Sequence, residues 1–182
     1  KDGERLLVGL TPNLEGLAPN LFEYVDGRIV ATHALVEMGG FDSLTIHGDS
    51  AWAADRRANR VWRFPLDESS LDLPEEFRFD GGRPLAPTDA VVLAPPGDAP
   101  LLIVAGLHGR AVWALASLPP GGRDLASVAN PSYLAAAASG RSVWAATAAP
   151  AALHTLSNDD FGEPGVTATV GLPSVPRGVA AL

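Results

Sequence analysis

Four polar residues recur at one position of a repeating pattern, directly before a short apolar stretch in each copy: Asp42, Asp89, Ser132 and Arg177. If the copies are equivalent units around an axis, these side chains converge at one mouth of the central channel. Two carboxylates there could bind a divalent cation such as Ca²⁺ through oxygen ligands. They could also act as general acid and base if crowding separates their pKa values. We therefore predict Asp42 and Asp89 as metal ligands or catalytic groups, and Ser132 and Arg177 as ligand-binding residues. The alternative is that Asp and Ser here only end turns by accepting backbone hydrogen bonds.

A second group of candidates lies in the loops that join the second and third apolar stretches of each copy, at residues 11–20, 55–60, 106–110 and 147–150. His108, between Leu107 and Gly109, is the best candidate of the four histidines for a general base or metal ligand. Arg110 could clamp a carboxylate ligand with two hydrogen bonds. Further ligand-binding candidates are Glu15, Asp55 and Arg56. Each has a structural alternative, as a solvent-exposed loop residue, a turn cap or an ion-pair partner.

The elements that must position these residues follow from an internal repeat. Residues 41–67, 88–117 and 131–157 share one plan of strand, turn, strand, loop and strand, and the turns fall at residues 47–49, 95–100 and 139–141. A more polar fourth stretch follows each copy, at residues 76–80, 123–128 and 166–170. Repeats of about 45 residues are typical of β-propellers, whose blades have four strands. The plan predicts three such blades.

The fourth copy is divided between the two ends of the chain. Residues 176–182, PRGVAAL, match a first strand, while residues 5–10, 21–25 and 28–35 match a second, third and fourth. This predicts one domain, an all-β four-bladed propeller, whose blades are residues 176–182 with 1–40, then 41–86, 87–130 and 131–175. The C-terminal strand would complete the first blade and remove the free sheet edges. A ring closed in this way predicts a monomer. There are two alternatives. Two chains could pair as half-rings into an eight-bladed homodimer, or the chain could be part of a longer protein.

Helical and sandwich folds fit the sequence less well. With 19 glycines and 16 prolines spread between short apolar stretches, only residues 133–138 read as a candidate helix, and their place in the repeat predicts a strand. A two-sheet sandwich also has short strands. It does not predict a fourfold repeat out of phase with the termini.

Residues 42–64, DSLTIHGDSAWAADRRANRVWRF, resemble the blade signature of NHL-like and senescence-marker-protein/gluconolactonase-like propellers. In those proteins a first strand, a Gly-Asp turn, a strand ending in Ala-Asp, a loop with Asn-Arg and a strand carrying Val-Trp recur. The resemblance implies a propeller. Lactonase-type members are six-bladed and hold a divalent metal through Glu, Asn and Asp, whereas this chain has four repeats, and its Glu15 falls in a loop. The likeness therefore supports the fold more than the activity.

The composition of the chain limits the classes of partner that we expect it to bind. The chain has 21 acidic and 13 basic residues, a net charge of -8, and only one lysine, Lys1, which argues against binding a nucleic-acid backbone. No apolar run approaches the roughly 20 residues of a membrane-spanning helix, so we expect a soluble chain without a membrane partner. The lack of cysteine excludes disulfides and a thiol nucleophile. The first residue is not Met, so the sequence leaves the compartment open.

Two functions remain from different classes. The first is a small-molecule-binding propeller with a pocket at the channel mouth, which could hold a divalent cation and act as a hydrolase, isomerase or cyclase on a small metabolite. The second is a non-catalytic propeller whose loops recognise another protein or serve a structural role. One tightly held divalent ion per chain would favour the first.

Overall fold

A computed structural model describes residues 5–9, 21–33, 40–66, 74–78, 84–94, 96–97, 100–114, 125–126, 133–139, 142–157 and 165–180. Throughout these ranges the regular elements are β-strands and none is helical, so the all-β prediction is confirmed. The strands are β1 (Arg5–Gly9), β2 (Leu21–Val25), β3 (Arg28–His33), β4 (Ser43–His47), β5 (Ser50–Asp55), β6 (Arg60–Pro65), β7 (Glu75–Arg78), β8 (Pro87–Leu93), β9 (Leu101–Gly106), β10 (Gly109–Ala114), β11 (Leu125–Ala126), β12 (Tyr133–Ser139), β13 (Ser142–Ala148), β14 (Ala151–Ser157) and β15 (Gly165–Gly171).

The strands form four antiparallel sheets, each built from consecutive strands. The first sheet is β1-β2-β3, the second β4-β5-β6-β7, the third β8-β9-β10-β11 and the fourth β12-β13-β14-β15. Tight turns join neighbours: Asp26 and Gly27 have φ of 49° and 76°, and Gly48 has φ of 55°. Two successive positive φ values suit the right-handed twist of a hairpin, which explains the Asp-Gly pair between β2 and β3. Residues 133–139 form a strand as the repeat predicts.

The middle strands pack on both of their faces. Successive side chains of a strand point to opposite sides, so one strand can serve two interfaces. In β5, Ala51 and Ala53 pack with Leu21 of the first sheet, whereas Trp52 packs with Leu102 of the third sheet. The first of these clusters contains Leu21, Ala51, Ala53, Trp62 and Phe64; the second contains Trp52, Val61, Phe77, Leu85, Ala90, Leu102 and Val104. The second sheet therefore lies between the first and the third.

The third sheet repeats this arrangement. In β9, Leu102 and Val104 face the second sheet, while Ile103 and Ala105 face the fourth sheet. The cluster on that side contains Leu93, Ile103, Ala105, Val143, Ala145 and Leu156. The four sheets thus stack face to face in chain order.

The first strands of the second, third and fourth sheets lie side by side, because β8 approaches β4 on one side and β12 on the other. The backbone N–H of Ala90 in β8 donates a hydrogen bond to Oγ of Ser43 in β4 at 3.1 Å. This contact joins neighbouring sheets at the strands predicted to be innermost.

The predicted C-terminal strand is not seen in the described part of its segment. Residues 176–180 carry no strand, and among the described residues the first sheet has the three strands β1, β2 and β3. Gly178, in the middle of this segment, has no side chain to pack, which weakens a strand there. Arg177, Gly178 and Ala180 are exposed. Residues 181–182 lie outside the described ranges.

Candidate functional site

One end of the stacked sheets carries most of the predicted site residues. Turns 56–59, 107–108 and 149–150 join the second and third strands of the last three sheets, and residues 40–42 and 84–86 lead into β4 and β8. We call this region the loop end. Hydrogen bonds between these segments show how it is held together and what its carboxylates do.

Asp42 connects the start of β4 to the turn that follows β5. Its backbone N–H donates to the carbonyl of Ala54 at 2.9 Å, and its Oδ2 accepts from the backbone N–H of Arg56 at 3.0 Å. The Arg56 guanidinium lies 3.4 Å from Oδ1. Both carboxylate oxygens of Asp42 therefore have partners within the second sheet, as the turn-cap alternative requires.

Asp55 is fully buried, and its carboxylate organises the same turn. Oδ1 accepts a hydrogen bond from the backbone N–H of Ala58 at 3.0 Å, and Oδ2 accepts one from Nε1 of Trp62 at 3.3 Å. A buried carboxylate is tolerated only when it is hydrogen-bonded in this way. Asp55 thus links the turn to the indole that packs against the first sheet.

Asp89 lies at an irregularity in the pairing of β8 with β9, between Pro87 and Asp89. Its Oδ1 is 2.9 Å from the backbone N of Ala90, which also donates to Oγ of Ser43. Asp89 and Ser43 therefore share one donor across the boundary between two sheets. Because Ser43 follows Asp42 directly, the starts of β4 and β8 are neighbours, as the repeat predicts.

Residues 84–86 are held between two turns. Oδ1 of Asn59 accepts from the backbone N–H of Ala86 at 2.9 Å, and the backbone N–H of His108 donates to the carbonyl of Leu85 at 3.3 Å. A Cβ added to Gly106 would lie 2.4 Å from the Leu85 carbonyl oxygen, so only glycine fits there. Asn59, which sequence reasoning did not single out, lies at φ 55° in the Asn-Arg loop of the repeat.

The other predicted site residues are spread over several places in the chain. His108 is exposed in its turn, and Arg177 is exposed outside the strands. Arg110 lies in β10, opposite Ala105 and Ala126. Ser132 and Glu15 lie outside the described residues. Within the described ranges, no group of three or more His, Asp or Glu side chains is arranged to hold a metal ion.

The arginines of the second sheet divide into two sets. Arg60, Arg63 and Arg78 form ion pairs with Glu75 or Glu76 of β7, and the Arg60 and Arg63 guanidinium carbons lie 5.6 Å from the ring centroids of Trp62 and Trp52. Arg56 and Arg57 instead project from the exposed turn 56–59; the Arg56 side chain is 46% exposed. The turn therefore presents two adjacent cations, one of them partly neutralised by Asp42.

A buried polar group of the fourth sheet was not predicted. His154 is 5% exposed; its Nε2 lies 3.2 Å from Oγ1 of Thr147, and its Nδ1 lies 2.9 Å from Oγ1 of Thr169. The Thr147 hydroxyl is 2.7 Å from the carbonyl of Pro150 and donates to it, so Nε2–H donates to Thr147 and Nδ1 accepts from Thr169. Burial lowers the pKa of His154, which favours this neutral form.

These features define an all-β protein of four stacked antiparallel sheets, with a polar loop end held by side-chain caps. No family model matches the chain, and a search of curated proteins finds no match for it. The part of the chain described here has no helix of the length and hydropathy needed to span a bilayer.

Replacing Asp55 by Ala is expected to lower the free energy of unfolding by about 1–3 kcal/mol, because it leaves the Ala58 N–H and the Trp62 indole without an acceptor. Urea unfolding followed by tryptophan fluorescence measures the loss. Asp49→Ala, at an exposed position of the β4–β5 turn, is the matched control and should change stability by less than about 0.5 kcal/mol. Equal effects of the two substitutions would contradict the capping role.

Stability should also fall as pH falls through the range where histidine titrates. Because the pKa of His154 is lowered in the folded chain, the unfolded chain takes up a proton first, below about pH 6.5. The stability gained from the neutral side chain is complete above that pH and is lost as pH falls through the folded-state pKa. His154→Asn should reduce the slope between about pH 7 and 5, measured by urea unfolding. The exposed His108→Asn is the control, and a slope that changes equally in both variants would refute the assignment.

Proposed function

We propose that this chain is a non-catalytic recognition module of the β-propeller type, which binds a partner protein through its loop end. The single observation that carries the proposal is that each acidic candidate described at the loop end accepts a hydrogen bond from the backbone. Asp42 receives the N–H of Arg56, Asp55 that of Ala58 and Asp89 that of Ala90. Carboxylates used as turn caps position loops, and positioned loops on a rigid sheet scaffold are how such folds recognise partners.

The stacking order of the sheets supports the propeller part of this proposal. Each middle sheet packs on both faces, and the first strands of three sheets run side by side. Adding the packing of the first sheet against the fourth would close the ring. This closure is part of the proposal, and so is the four-bladed count.

The chemistry of the loop end favours an acidic partner segment. Arg56 and Arg57 are adjacent on an exposed turn, and His108 is exposed on the equivalent turn of the next sheet. Arginine pairs with carboxylates through two parallel hydrogen bonds, which gives geometric specificity as well as attraction. The chain carries a net charge of -8, so the cationic turn 56–59 differs in charge from the chain as a whole. An acidic segment would therefore bind at this turn.

Binding of a fluorescein-labelled oligoglutamate peptide, followed by fluorescence anisotropy, tests this proposal. At about 0.1 M salt, acidic residues more than about 10 Å from the peptide are screened, so the charge of turn 56–59 dominates the electrostatic interaction with the peptide. We expect Arg57→Ala to weaken binding by about two- to fivefold, the usual contribution of one exposed ion pair. Arg28→Ala is the matched control, since Arg28 is exposed at the start of β3, in a different sheet from turn 56–59. Equal losses in both variants, or no binding by the unaltered protein, would refute the proposal.

A second candidate function, binding of a small molecule with a divalent cation, has one specific observation in its favour. Asp89 and Ser43 share the Ala90 N–H, so the starts of β4 and β8, where Asp42 and Asp89 lie, are neighbours. Calcium prefers such carboxylate and hydroxyl oxygens.

Titration calorimetry with calcium chloride on the unaltered chain, Asp42→Asn and Asp89→Asn decides between the two functions. A cation site predicts binding that each substitution weakens by about tenfold or more, as expected when one charged ligand is lost. The recognition module predicts no calcium binding, together with a loss of stability of a few tenths to about 2 kcal/mol in each variant, in line with the loss of other caps.

A further inference from the structure

The outer edges of the described sheets are protected to different degrees. A strand at the edge of a sheet exposes unpaired N–H and C=O groups, and charged side chains are a common way to prevent pairing with another chain. The outer strand β7 carries Glu75, Glu76 and Arg78 among its four residues, and β3 begins with Arg28. In contrast, β15 reads GVTATVG, with no charge and no proline. This strand is the outer edge of the fourth sheet.

The side chains of this edge are exposed as well as uncharged. Residues 167–171 are all exposed, and Val170, at 60%, has the highest exposed fraction of the described large hydrophobic residues. An uncovered valine in an uncharged edge strand is the combination that natural proteins avoid at a free edge. It therefore indicates that something pairs with this strand.

The hydrogen bonds of β15 show which backbone groups face outward. The N–H of Leu172 donates to the carbonyl of Ala151 at 2.8 Å, beside the pair Gly171 and Ala152. Bonded and non-bonded pairs alternate in an antiparallel ladder, so Gly171 and Thr169 belong to non-bonded pairs and Val170 to the bonded pair between them. The N–H and C=O groups of Thr169 and Gly171 therefore point away from β14, toward the outer edge. An irregularity at Thr155 and Leu156 leaves Thr167 as an extra residue and ends this regular stretch.

We propose that β15 pairs with β15 of a second copy of this chain, antiparallel, about a two-fold axis at Val170. In this register Thr169 faces Gly171 of the partner, and the outward N–H and C=O groups of both residues are satisfied on both chains. Val170 faces its own copy across a non-bonded pair, where side chains approach most closely. The two fourth sheets become one continuous sheet.

A second copy fits this edge in both its backbone geometry and its charge. The outward groups form a set that is complete under a two-fold rotation, so each donor of one chain meets an acceptor of the other. Each chain also carries a net charge of -8, and β15 is an edge where two copies can meet without placing like charges opposite one another. This dimer uses the outer edge, so it is compatible with ring closure within each chain and differs from a pairing of half-rings.

Sedimentation velocity over a range of protein concentrations tests the proposal, with Val170→Lys, Val170→Glu and Val30→Lys as variants. We expect the unaltered chain to form a dimer and nothing larger, because a two-fold contact closes on itself. Each Val170 variant places like charges opposite each other and should weaken the dimer by at least about tenfold. A mixture of the Lys and Glu variants should restore a one-to-one dimer. Val30, 56% exposed in the edge strand β3, is the matched control and should leave dimerisation unchanged.

A monomer at every concentration, open-ended association, or a dimer that persists in both Val170 variants would each overturn the proposal. So would failure of the mixed variants to pair. Amide hydrogen exchange on the unaltered chain provides a second measurement that does not depend on the folding of any variant. The amides of Thr169 and Gly171 should exchange more slowly as protein concentration rises, and exchange that does not depend on concentration would refute the register.

Discussion

The structure depends on the two-sided burial of its middle strands. A strand in a simple two-layer protein buries one face and exposes the other, which gives alternating apolar and polar residues. In β5 and β9 both faces are buried: all six residues of β5, and every residue of β9 after Leu101, are buried. This accounts for the sequence of β5, SAWAAD, where small alanines on one face allow a neighbouring sheet to approach while Trp52 fills the space on the other. Stacking of consecutive sheets follows from this requirement.

The polar contacts at the loop end keep those stacked sheets in register. The hydrophobic effect has no direction, so packing between flat apolar faces fixes the distance between two sheets better than it fixes their relative position. Hydrogen bonds do have direction. Asn59 accepts the Ala86 N–H, and Ser43 accepts the Ala90 N–H, so the second and third sheets are joined at two points near one end. The polar residues that could serve a ligand site are therefore also the residues that hold the scaffold.

The sequence predicts the strands of this protein better than it predicts the roles of individual side chains. Strand positions could be predicted because alternation and turn residues are local signals: the Gly48 turn falls where the repeat requires it, and β12 ends at Ser139, where the repeat predicts the end of a strand. The roles of Asp42 and Asp55 could be narrowed only to two alternatives, since a carboxylate at the end of a strand has the same sequence signature whether it caps a turn or binds a ligand. The buried, hydrogen-bonded role of His154 could not be predicted, because its partners Thr147 and Thr169 come from other strands and carry no motif. The strand at residues 176–182 was predicted from repeat matching alone, which did not weigh the loss of side-chain packing at Gly178.

The distinction between a cap and a ligand rests on where the remaining lone pairs of the carboxylate point. A carboxylate accepts about four hydrogen bonds. Asp55 is buried, and each of its carboxylate oxygens accepts a hydrogen bond inside the second sheet, so a ligand could reach it only by displacing protein donors. The Asp42 side chain is 23% exposed and lies beside the cationic turn. A partner carboxylate that approached Arg56 would compete with Asp42 for the guanidinium while leaving the Arg56 N–H bond intact. Asp42 can thus hold the turn in place and also compete with a partner for the Arg56 guanidinium. Only an acidic partner able to engage both Arg56 and Arg57 would then displace it.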